Sequence, residues 1–183
     1  MNRITQLDPS QATGKTKELL GTVEAQLGSV PNLFRVLANS PAALEGFLRF
    51  HSALADGILS SRLREQIALA VAEINYCGYS LSAHAYLGAK AGLTEREIAD
   101  ARRVSAADAH TAGILSLARG IAVQRGVLGD ADLRVARAAN ISDAEIVETV
   151  ANVGLNILTN YLNHVAQTVV DFPEVHPGVG EPP

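Results

Sequence analysis

A thiol, a hydroxyl and an imidazole recur at i, i+3 and i+7 in Cys77-Gly-Tyr-Ser80-Leu-Ser-Ala-His84, and the carboxylate of Glu65 stands twelve residues before the cysteine. On a helix of ~3.6 residues per turn these offsets share one face. Cys77, the only cysteine of the chain, falls near a helix start, where unpaired N–H groups and the helix dipole favour a thiolate nucleophile. A free cysteine is as readily a small buried residue. His84 is the candidate base or proton shuttle, because imidazole changes charge near neutral pH. Side chains four apart on a helix are neighbours, so His84 reaches Ser80 directly, whereas Cys77 lies a further turn back, ~10 Å in rise. Glu65, flanked by apolar residues, could orient His84 or accept a proton; the structural alternative is an ion pair with Arg62 or Arg64. Ser80, His84 and Glu65 also hold the ingredients of a Ser-His-acid triad, without a nucleophile elbow or oxyanion-hole motif. Glu73 and Tyr79 read as solvated and packing residues respectively.

These side chains must be positioned by helices. Of 183 residues, 48% are hydrophobic, 19% charged and only 4% aromatic. That composition describes a globular chain rich in helix formers and poor in strand formers. The spacing predicts helices over 12–27 and 41–56, one opening at Ser60 or Ser61 with helical spacing to Ile74, one over 77–91, one opening at the Thr94 capping box, and others over 106–125, 130–139 and 143–168. Gly28, Gly57 and Gly92 mark stops, Ser40-Pro41 a start, and Thr94-Glu-Arg-Glu97 and Ser142-Asp-Ala-Glu145 capping boxes. Phe172-Pro173 is expected to end the last helix. The fold class is therefore all-α, a single domain of seven or eight helices over 1–175, followed by a mobile Pro/Gly-rich tail at 176–183.

Ala91-Gly-Leu-Thr-Glu-Arg-Glu-Ile98 aligns with Ala139-Asn-Ile-Ser-Asp-Ala-Glu-Ile146 at an offset of 48. The match reads either as a duplicated helical unit or as two helices using the same common cap. A net charge of -4 without a basic cluster argues against nucleic acid as a partner. One cysteine permits no internal disulfide. No apolar run reaches the ~18 residues of a membrane helix, and the first residues lack a signal-peptide core, so the expected location is cytoplasmic. His51, His110, His164 and His176 show no metal-ligand spacing, and neither a metal nor another cofactor is expected.

Glu65-x11-Cys77-x2-Ser80-x3-His84 resembles the Glu-x11-Cys-x2-Cys-x3-His signature of the alkylhydroperoxidase D-like, carboxymuconolactone decarboxylase superfamily. The sequences around Glu65 and His84 are also similar to that family. Leu158-Thr-Asn160-Tyr-Leu-Asn163-His-Val-Ala-Gln-Thr-Val-Val-Asp171-Phe-Pro is similar to its peroxidase-related branch. The resemblance spans roughly residues 30–175. It implies an all-helical fold around a helical hairpin and a homo-oligomer, whether trimer, hexamer or dimer. In peroxidase members two cysteines cycle between dithiol and disulfide while Glu and His relay protons. In decarboxylase members the cysteine pair is absent and the substrate is a lactone carboxylate. Ser80 stands where the second cysteine belongs, and a hydroxyl cannot form a disulfide.

Three functions follow from the resemblance. The first is a one-thiol peroxidase acting on hydroperoxides through Cys77, with Glu65, Ser80 and His84 around it and an external thiol as reductant. The second is a cofactor-free lyase or isomerase using Glu65 and His84 on a small-molecule substrate. The third is a non-catalytic member of the family.

Overall fold

The computed structural model describes residues 3–179, which fold into nine α-helices and one short 3-10 turn without a strand. The helices are α1 (Gly14–Leu27), α2 (Asn32–Leu37), α3 (Pro41–Ala55), α4 (Ser61–Ile74), α5 (Gly78–Lys90), α6 (Glu95–Arg102), α7 (Ala109–Gln124), α8 (Asp130–Ala138) and α9 (Asp143–Ala166). The local chemistry sets most boundaries. Ser40 and Ser60 accept the N–H groups of Ala43 and Leu63, and Pro41 opens α3. Both expected capping boxes form, at Thr94/Glu97 and Ser142/Glu145. Gly28, Gly92 and Asn140 take positive φ just after their helices, as C-terminal caps require.

Helix α4 is the axis of the molecule. Ile67 to Ala72 are all buried, on every side of the helix, and α5, α6, α7 and α9 pack around it. Its residues there are aliphatic or alanine, so neighbouring helices approach closely. A second core joins α1, α2 and α3 to Leu155 of α9. No helix among the described residues is long and apolar enough to cross a membrane.

Three expectations change. Helix α2 is additional to the seven or eight read from the sequence. It has only six residues, and no side chain next to it caps its N-terminus. The Asn32 N–H donates instead to Asp171 Oδ2, 2.7 Å away and 139 positions later in the chain. Helix α9 ends at Ala166, where Gln167 turns left-handed and donates its N–H to the Asn163 carbonyl, rather than at Phe172-Pro173. Glu73 is buried, not solvated: it pairs with Arg102 at 2.8 Å and accepts the N–H groups of Gly178 and Val179. That clasp holds the start of the tail expected to be mobile, while positions 180–183 of that tail lie outside the described residues.

Candidate functional site

Glu65 projects from α4 and His84 from α5, the two helices of the central hairpin. Gly88 lets them approach: a Cβ there would stand 3.7 Å from Glu65 Cβ and only 3.0 Å from Leu93 Cδ1. One turn before Gly88, His84 Nδ1 meets Glu65 Oε2 at 2.8 Å. A carboxylate only accepts, so Nδ1 carries the proton and Nε2 presents its lone pair. Nε2 makes no hydrogen bond to the described residues. The alternative partners of Glu65 are engaged elsewhere. Arg62 pairs with Glu97, and Arg64 donates to the Leu54 carbonyl.

Cys77 is the N-cap residue of α5 and is 2% exposed. Its Sγ lies 3.3 Å from Ser80 Oγ and 3.9 Å from the Asn160 carbonyl. It makes no hydrogen bond to His84, in keeping with the rise between them. Ser80 also makes none to His84, although the two lie one turn apart. The Ser80 hydroxyl is held from the other side, by Asn160 Nδ2 at 2.9 Å and Asn163 Nδ2 at 3.4 Å, and Asn75 Nδ2 donates to Asn160 Oδ1 at 2.9 Å.

A cavity of about 640 Å³ opens beside these groups, a size ordinary for a small-molecule site. Glu65, Ser80 and His84 line it, and Cys77 does not. The thiol stands one hydroxyl behind the wall. Phe34, Phe47, Leu54, Leu87 and Phe172 make an apolar side, and Arg64 and Lys90 contribute the cations. On the α9 side, Asn152 and Asn156 spend their amide N–H groups on the carbonyls of Glu148 and Asn152, each at 2.8 Å. Their side-chain oxygens accept no hydrogen bond from the described residues, so this wall offers hydrogen-bond acceptors to whatever enters.

Two further groups shape the cavity. His51 stacks on Phe47, and burial together with the nearby Arg64 charge holds it below the ordinary imidazole range. Tyr79 accepts the Leu33 N–H at 3.0 Å, and burial pushes its hydroxyl far above the ordinary phenol range, so it stays neutral beside Asp171. No group of three His, Cys, Asp or Glu side chains that could hold a metal occurs among the described residues.

The structure thus brings Glu65, Ser80 and His84 to one surface and sets Cys77 behind it. The asparagines of α9 were not singled out from the sequence as site residues. Their signal is the spacing of Asn152, Asn156, Asn160 and Asn163 along one helical face, amides where a core helix would place leucines.

The profile of the Carboxymuconolactone decarboxylase family matches residues 41–124, a span that holds Glu65, Cys77, Ser80 and His84. Among solved structures, an uncharacterized peroxidase-related protein from Silicibacter sp. TM1040 is 24% identical, with a TM-score of 0.78 over 91% of this chain and 92% of its own. The alkylhydroperoxidase AhpD core structure of an uncharacterized peroxidase-related protein from Ralstonia eutropha JMP134 is 21% identical, with a TM-score of 0.80 over 93% of this chain and 92% of its own. The debrominase Bmp8, as a variant in complex with 2,3,4-tribromopyrrole, is 15% identical, with a TM-score of 0.79 over 93% of this chain and 92% of its own. At these identities the structural likeness speaks for the fold. No curated protein matches the chain.

Proposed function

We propose that this chain, whose residues 41–124 match the Carboxymuconolactone decarboxylase family profile, is a cofactor-free lyase or isomerase whose Glu65–His84 pair moves a proton on a small, largely apolar carboxylate or lactone. The observation that carries this reading is the division of the site. The 2.8 Å Glu65–His84 pair lines the cavity, whereas the thiol is buried behind Ser80.

His84 Nε2 takes a proton from a carbon next to the substrate carbonyl, and the resulting imidazolium is stabilised by Glu65 and returns the proton at another atom. Arg64 and Lys90 supply positive charge for a carboxylate, and the free amide oxygens of Asn152 and Asn156 accept hydrogen bonds from its hydroxyl groups. The test is turnover of a panel of small lactones and keto carboxylates by wild type, His84→Ala and Cys77→Ala. His84→Ala is expected to lose about 10²–10⁴-fold in rate, and Cys77→Ala to keep most of it. Loss of turnover in Cys77→Ala, full turnover in His84→Ala, or no turnover of the panel by wild type counts against the reading.

One observation favours a second reading, a one-thiol peroxidase: Cys77 Sγ lies 3.3 Å from the hydroxyl of Ser80, a residue of the cavity wall, at the N-terminus of α5. In this reading Ser80 rotates aside, the Cys77 proton passes through a water to His84, and the thiolate attacks the distal oxygen of a hydroperoxide. The O–O bond breaks, the leaving alkoxide takes that proton from His84, and an external dithiol returns the sulfenic acid to thiol with release of water. Hydroperoxide consumption with added dithiothreitol separates the two readings. If the acid–base reading holds, wild type is inactive in this assay and Ser80→Cys, which puts a thiol on the cavity wall, gains activity. If the peroxidase reading holds, wild type is active and Cys77→Ser is not.

A further inference from the structure

Helix α3 brings a second imidazole to the cavity. Phe47, His51 and Leu54 recur at i, i+4 and i+7, so one face of the helix joins the cavity wall. The proton transfer described above does not use His51. Its ring is held by stacking: the centroids of His51 and Phe47 are 6.0 Å apart and their planes 26° from parallel. Neither ring nitrogen makes a hydrogen bond to the described residues. The link between α3 and α4 sets this ring near the Glu65–His84 pair. Arg64, the residue before Glu65, donates to the carbonyl of Leu54, one turn after His51. The His51 imidazole accordingly feels the charges of Arg64, Glu65 and His84. Desolvation, with repulsion from Arg64, keeps it below the ordinary imidazole range. At neutral pH the ring therefore carries one N–H donor and one lone pair, both free.

The acid–base reaction has a need that such a donor meets. When a base takes the proton from a carbon beside a carbonyl, the C–H electron pair moves into the carbon–carbon bond. The carbonyl π pair then moves onto oxygen, and a donor already in place stabilises that charge. Glu65 and the side-chain oxygens of Asn152 and Asn156 only accept. Arg64 and Lys90 are engaged by the substrate carboxylate.

We propose that His51 is a second catalytic residue, whose ring N–H donates to the substrate's carbonyl oxygen and holds the charge that grows there while His84 Nε2 takes the proton. This role rests on the acid–base reading above. The two imidazoles divide the work by their surroundings. His84 has the Glu65 carboxylate at 2.8 Å to stabilise its protonated form, so it moves the proton. His51 has no carboxylate partner among the described residues and keeps its own proton. When His84 returns the proton at another atom, the electron pair flows back from oxygen, and His51 ends as it began.

The test is exchange of the proton next to the carbonyl in heavy water, followed by NMR. The probes are phenylpyruvate and γ-phenyl-γ-butyrolactone, and the proteins are wild type, His84→Ala, His51→Phe and His51→Gln. His51→Phe keeps a ring against Phe47 but has no N–H. It is expected to lose about 10²–10³-fold in kcat, with KM within about threefold of wild type. His51→Gln puts an amide N–H at similar reach and is expected to recover to within about tenfold of wild type. Circular dichroism of both variants should match wild type. Full exchange in His51→Phe beside lost exchange in His84→Ala would overturn the role of His51 and leave the acid–base reading standing. A His51→Gln variant as slow as His51→Phe, or a loss carried wholly by KM, would also overturn it. No exchange of either probe by wild type would overturn the acid–base reading, and the role of His51 with it.

Discussion

Two stretches of the chain keep step with each other and differ in chemistry. Helices α4 and α7 begin at Ser61 and Ala109, and α6 and α9 at Glu95 and Asp143, the same forty-eight residues apart. At that offset Glu65 corresponds to Gly113, Glu73 to Ile121, Cys77 to Arg125, Ser80 to Leu128, His84 to Asp132 and Arg102 to Val150. Every position that carries chemistry or a buried ion pair in the first stretch is apolar, small or surface-exposed in the second. The shared frame builds the core twice, and only the first half is furnished as a site. The backbone alone therefore does not create the site; side chains placed on it do.

The sharpest way to break this comparison is to remove the polar support that only the first stretch has. Asn160→Ala deprives the Asn75 amide of its acceptor and Ser80 of its nearest donor, and leaves a gap at a fully buried position. Denaturant unfolding should show a loss of about 2–4 kcal/mol. A loss below about 1 kcal/mol would mean that the network is not what secures the first stretch.

The second stretch should instead be sensitive to volume. A Cβ at Gly113 would lie 2.9 Å from Ala139 Cβ and 3.1 Å from Ile141 Cδ1. Gly113→Val is thus expected to cost about 1–3 kcal/mol by overpacking, measured by thermal unfolding, with site activity unchanged. Asp132→Ala, the counterpart of the His84 substitution, removes the acceptor of the Gly129 N–H at the start of α8 and should cost about 0.5–2 kcal/mol while leaving turnover intact. Substantial loss of turnover would show that the second stretch contributes to the site after all.

The smallest effect expected is a local one with pH. Burial raises the Glu73 carboxyl, but the N–H groups of Gly178 and Val179 and the Arg102 guanidinium outweigh it and hold it below its ordinary 4.5. A depressed carboxylate contributes stability above its unfolded value, and that contribution is lost as pH falls through the folded one. Hydrogen-exchange protection of the Gly178 and Val179 amides should therefore be full at neutral pH and be lost only as pH falls beneath the ordinary carboxylate range. In Glu73→Gln protection should be low throughout. Equal protection in both proteins would sever the link between this ion pair and the tail.

The sequence is most legible where structure is local. Capping boxes, Ser-Pro starts and glycine stops act within a turn, so seven or eight helices and the shared face of Cys77, Ser80 and His84 can be read directly. What escapes reading depends on distant partners. The cap of α2 comes from Asp171, the neutralisation of Glu73 from Arg102 and the tail, and the placing of Cys77 behind Ser80 from Asn160 and Asn163 on α9. Spacing on one helix showed that the thiol and the imidazole were too far apart to bond. It could not show which of the thiol and the hydroxyl would face the cavity, because the opposing helix decides that.

The Asp171 cap also orders events in time. A chain leaves the ribosome N-terminus first, at roughly 5–20 residues per second, so the carboxylate arrives about 7–28 s after the helix it caps. Through that interval α2 is a six-residue segment too short to hold itself, and the cavity wall bearing Leu33 and Phe34 is unfinished. The pocket is completed only when Asp171 reaches back to α2, so a newly made molecule acquires its ligand-binding shape only after the chain has been made at least as far as that residue.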